Sequence, residues 1–98
     1  MTVATAFVVM LVGAMSQAHA YTGEELSKGA KISLSEARAA ALHAHPGTIT
    51  DEELEKEKGG SGLRYSFDIK SSGKTYEVGV DAMTGKVLED AAEGVNPD

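Results

Sequence analysis

From Leu63 the chain alternates apolar and polar residues. Leu63, Tyr65, Phe67 and Ile69 are interleaved with Arg64, Ser66, Asp68 and Lys70, the period-2 pattern of a half-buried strand. After Ser72-Gly73 the alternation resumes, with Tyr76, Val78 and Val80 against Thr75, Glu77 and Asp81. A turn at Ser72-Gly73 predicts an antiparallel hairpin in which Ile69 opposes Tyr76, Phe67 opposes Val78 and Tyr65 opposes Val80. A slip of one residue would break all three apolar pairs. Asp81-Ala82-Met83-Thr84-Gly85 then turns the chain back into Lys86-Val87-Leu88, with Gly85 at a position that needs φ > 0.

Upstream the period changes. Ser33-Leu34-Ser35-Glu36 has the spacing of a capping box, and the Ala-rich run that follows has high helix propensity. At 100° per residue, Leu34, Ala37, Ala41 and His45 share one face, flanked by Leu42. Pro46 cannot extend a helix and disfavours helical backbone at His45, so the helix is expected to end at Ala44.

A helix ending in His45-Pro46-Gly47, then alternating strands, then Asp81-Ala82-Met83-Thr84-Gly85-Lys86-Val87 resembles the PepSY domain family over about Ile32 to Asp90. The resemblance implies an α+β fold, one N-terminal helix packed on a small antiparallel β-meander. It also bears on Thr48–Lys58, where residues and family pattern disagree. Thr50-Asp51-Glu52-Glu53 is a second capping box and the run after it is good helix material. The family pattern places the first strand of the sheet there. A strand is assigned on the resemblance, and Glu and Lys on an edge strand suit it, because charge there blocks edge-to-edge aggregation. The expected core is Leu34, Ala37, Ala41, Leu42, Ile49, Leu63, Tyr65, Phe67, Ile69, Tyr76, Val78, Val80 and Val87.

The ends divide the chain further. Residues 1–20 read as a signal peptide: Ala4 to Ala14 is nearly all apolar but shorter than the roughly 20 residues of a membrane span, and Ala18-His19-Ala20 suits cleavage before Tyr21. Met1-Thr2-Val3 departs from the usual pattern in carrying no Lys or Arg. Residues 21–31 are expected to be a flexible leader, 32–90 the domain and 91–98 a disordered tail. An exported location, periplasmic or extracellular, follows from this reading.

All 15 Asp and Glu and all 9 Lys and Arg lie after Ala20, for a net charge of −6. That balance argues against nucleic acid and, after cleavage, against anionic membrane surfaces. Cysteine is absent, so no disulfide supports the fold. A core this small supplies about 3–5 kcal/mol of net stability.

No residue is expected to be catalytic, cofactor-binding or metal-binding. His43 and His45 are two apart, about 200° around a helix, and cannot face one ion. His43 is placed in solvent and His45 at the helix–sheet seam. The acidic run lacks the spacing and turn glycine of an EF-hand loop. Gly59-Gly60-Ser61-Gly62 lacks the context of a phosphate loop, and no Ser has an evident base. Asp68 and Glu77 come out directly opposed, screened by Arg64 and Lys70, while Arg64 opposes Asp81 as a matched pair.

The resemblance implies a non-enzymatic exported module whose partner is a protein or peptide, with a peptidase modulated in trans as the leading case. An envelope sensor or scavenger of a small ligand or cation is the alternative, and a small hydrolase comes third. A monomer or weak oligomer is expected. The site expected to meet a partner is the acidic sheet edge, Asp51, Glu53, Glu55 and Glu57, by strand addition to a basic extended segment.

Overall fold

Ser33 starts the helix through a complete capping box. Its hydroxyl accepts from the Glu36 amide at 3.0 Å, and its own amide donates to Glu36 Oε1 at 2.9 Å. In the computed structural model, which describes residues 21–94, this helix, α1, spans Leu34–Ala44 and ends where Pro46 requires. Four strands follow: β1 Thr48–Lys56, β2 Leu63–Ser71, β3 Lys74–Asp81 and β4 Val87–Ala92. They form one antiparallel sheet in the order β1-β2-β3-β4.

The central hairpin has the register that the alternation predicts, with Tyr65 opposite Val80, Phe67 opposite Val78 and Ile69 opposite Tyr76. α1 lies on that apolar face. Ala37 and Ala41 are fully buried beneath it with Leu54, Tyr65, Phe67, Ile69, Val78, Val80 and Ala82. Small side chains on the helix let it sit close to the sheet. The buried Tyr65 hydroxyl donates to the Ile32 carbonyl at 2.7 Å, at the helix entry.

Two core residues were not anticipated. Leu54 stands alone among Glu and Lys, but β1 turns it toward the helix. Ala82 is buried because its carbonyl accepts from both the Lys31 and Ile32 amides at 2.9 Å, tying the last turn to the start of α1. Leu34, Leu42, Ile49, Leu63 and Val87 are only partly buried at the rim of the core.

Thr48–Lys56 is a strand despite its helical propensity, because pairing with β2 and burial of Leu54 outweigh a weak local preference. Gly85 adopts φ 81° and closes the final turn, its amide donating to the Asp81 carbonyl at 2.8 Å.

Two segments differ from expectation. The leader expected to be flexible contains a 3₁₀ turn, Glu24–Gly29, so α1 is not the first element. Thr22 forms an isolated parallel bridge with Glu53, and Tyr21 and Leu26 pack against the core. The tail expected to fray from Ala91 instead continues β4. Ala91 and Ala92 pair with Glu77 and Tyr76, and the Glu93 amide reaches the Thr75 carbonyl at 2.9 Å. The unpaired side of β3 demands these partners whatever the side chains are. The signal-peptide reading of residues 1–20 and the end of the tail, residues 95–98, lie outside the described residues.

Candidate functional site: the open face of the sheet

With α1 on one side, the alternation sends the other half of the side chains to a face that none of the described elements covers. Asp51, Glu53 and Glu55 are there, across the strand from Leu54. Glu57 lies past the end of β1, exposed, its amide donating to the Gly62 carbonyl at 3.1 Å. Three of the four acidic residues expected along the edge therefore belong to a sheet face.

The register extends this face across all four strands. Asp51 opposes Asp68, which opposes Glu77, so three carboxylates stand in one cross-strand row. Glu53, Ser66, Gly79 and Glu89 form the next row, and Glu55, Arg64 and Asp81 a third. Like charges directly opposed are unfavourable. The carboxyls respond accordingly. Burial, then the charges of Glu55, Asp51 and Asp68, raises the pKa of Glu53. Burial, then Glu93 and Asp51, raises that of Asp68, and burial, then Glu89 and Asp68, raises that of Glu77.

Arg64 does not screen Asp68 and Glu77 as expected. Its side chain lies over Gly79, where a Cβ would come within 2.8 Å of it. It reaches Glu89 at 3.5 Å and donates to the Lys58 carbonyl at 3.0 Å, with Nε buried and unpaired. Nor does Arg64 pair with Asp81, although the two are opposed in register. Asp81 is buried and turned into its own loop. It accepts from the Met83 and Thr84 amides at 2.8 and 3.2 Å and from the Ser61 amide at 2.6 Å. Burial alone would raise its pKa, but these backbone hydrogen bonds bring it down to about 2. Asp81 thereby fastens the Gly59–Gly62 loop to the last turn.

The two histidines separate as the helix geometry requires. His43 is exposed, while His45 caps the C-terminus of α1. The His45 ring packs on Tyr76 at 3.8 Å between centroids, tilted by 31°, and its Nδ1 lies 2.9 Å from Asp90 on β4. On the other flank Arg38 makes a two-point contact with Glu52, at 2.9 and 2.8 Å, clamping α1 to β1. Neither pair was anticipated. For Arg38 the only signal was a cation on the helix flank beside a strand of acids.

Among the described residues, no group of three or more His, Asp and Glu side chains is placed to hold a metal ion, and no helix is long and apolar enough to cross a membrane. Chemically, the open face can offer carboxylates to cationic groups. Compared with known proteins, residues 31–91 match the family model described as the peptidase propeptide and YPEB domain, PepSY. No curated protein and no solved structure matches.

Proposed function

The chain belongs to the PepSY family, and from that premise we propose that it is a non-enzymatic exported module that binds a polypeptide partner and modulates a secreted or envelope peptidase in trans. The observation carrying this reading is the uncovered sheet face with Asp51, Glu53, Glu55, Asp68, Glu77 and Glu89. A basic partner surface would relieve the repulsion within the carboxylate row, and that attraction weakens as salt rises. Glu57 would extend the contact beyond the strand end. No catalysis is invoked: Ser66, whose hydroxyl donates to Glu55 at 2.7 Å, is buried, and Arg64 is already engaged with Glu89.

The test uses residues 21–98 as bait on envelope extract, with captured material assayed for peptidase activity with and without added free domain. Capture of peptidase activity that falls on adding the domain is expected. The Glu53→Lys/Glu55→Lys bait should capture at least tenfold less while its circular dichroism stays native. Capture without peptidase activity, or capture indifferent to charge reversal and salt, would overturn the proposal.

A further inference from the structure

At the outer edge of β1 the described part of the chain pairs with its own sheet through a single isolated bridge. The Leu54 amide points away from β2 and donates to the Thr22 carbonyl at 2.9 Å, within the parallel Thr22–Glu53 bridge. Gly23 makes this contact possible. It has φ 87°, and a Cβ there would strike the Leu54 carbonyl oxygen. The 3₁₀ turn that follows has no buried residue, so half-buried Tyr21 and Leu26 provide the segment's packing. Beyond the bridge, a groove of about 690 Å³ runs along the same edge, lined by Tyr21, Thr22, Arg38, Ile49, Thr50 and Asp51. A bulge between Ile49 and Asp51 breaks the regular register at this point.

We infer that Tyr21–Thr22 is a displaceable cap, and that the β1 edge from Ile49 to Leu54 takes a basic extended polypeptide segment in its place. This rests on the reading above that the module binds a polypeptide, and it names the segment and the edge. Main-chain groups at such an edge are a template for strand addition, and a cap that pairs through one short bridge, anchored by Tyr21 and Leu26, offers fewer backbone hydrogen bonds than a longer paired segment. Charge selects the occupant. In a second copy, Asp51, Glu53 and Glu55 would meet the same three acids, whereas alternate Lys or Arg on an incoming strand would meet them with opposite sign. The intervening small apolar residues would lie toward Ile49 and the groove.

The experiment uses residues 21–98 and a synthetic peptide of alternating Val and Lys, with a control peptide N-methylated on alternate amides. In Gly23→Val, hydrogen exchange at the Leu54 amide should rise at least tenfold while the Phe67 and Val78 amides stay protected. The peptide should bind this variant at least tenfold tighter than wild type and restore Leu54 protection, and the N-methylated peptide should do neither. If Gly23→Val also loses protection at Phe67 and Val78, Tyr21→Ala decides with the same readouts, since it removes an anchor without a backbone collision. Slow Leu54 exchange in a folded variant would overturn the proposal, as would equal peptide affinity for variant and wild type. Binding of the N-methylated peptide, which charge alone would explain, or dimerisation through the freed edge would overturn it too. No peptidase enters this test, so its failure is separable from failure of the pull-down.

Discussion

Phe67 is buried at the middle of β2, on the face beneath α1 and opposite Val78. Phe67→Ala should cost about 3–5 kcal/mol, comparable to all the stability a domain this small has. Thermal melting followed by circular dichroism checks it, and a variant melting within a few degrees of wild type would contradict the packing. Positions like Phe67 were legible because a two-residue period has only two faces, and the aromatic residues with Ile69, Val78 and Val80 all chose one. Leu54 was not, because a single apolar residue among acids carries no period. Asp81 was half legible: its place opposite Arg64 follows from register, but three amides in reach of one carboxylate follow only from the path of the turn.

Helix α1 illustrates a fully local element. Its start, its end and its buried alanines all follow from residues within a few positions of one another. Ser33→Ala removes the hydroxyl that accepts from Glu36, and should lower stability by about 0.5–2 kcal/mol. Urea denaturation measures this, with Ser33→Asp expected to retain most of the stability. Equal stability of wild type and Ser33→Ala would mean that the cap is idle. The strands at the sheet's margins are the opposite case. β1 carries helical propensity, and β4 ends in Glu89-Asp90-Ala91-Ala92, which has no strand signature. Both are strands because a neighbour presents unpaired backbone. The Thr22–Glu53 bridge was illegible for the same reason, with Gly23 its only trace.

For the whole molecule, charge couples to stability with two opposite signs. Glu53, Asp68 and Glu77 have raised pKa values in the folded protein, so their charges oppose folding at neutral pH. That opposition disappears as pH falls through their raised values toward the ordinary carboxylate range. Asp81, held at about 2, stabilises the fold at any pH above its ordinary value of 3.8, and that contribution is lost as pH falls from there toward 2. The melting temperature should therefore rise on acidification from pH 7, peak at about pH 4–5, and fall below it. Replacing Glu53, Asp68 and Glu77 together by their amides should flatten the rise and leave the acid limb. A steady decline from pH 7 downward would refute this balance.

The Ala82 carbonyl, which receives the amides of Lys31 and Ile32, also sets an order of assembly. Synthesis proceeds from the N-terminus, so α1 emerges before the strands, yet Lys31 and Ile32, which lead into it, find this acceptor only after β1, β2 and β3. The β2–β3 hairpin, closed by a two-residue turn, pays little loop entropy and can form as soon as it is made. The helix can start through its local Ser33–Glu36 cap, but the segment leading into it is not tied to the sheet until the final turn exists. A nascent chain lacking that turn therefore leaves the entry of α1 untethered, and the Ala82 carbonyl joins an early segment of the chain to a late one.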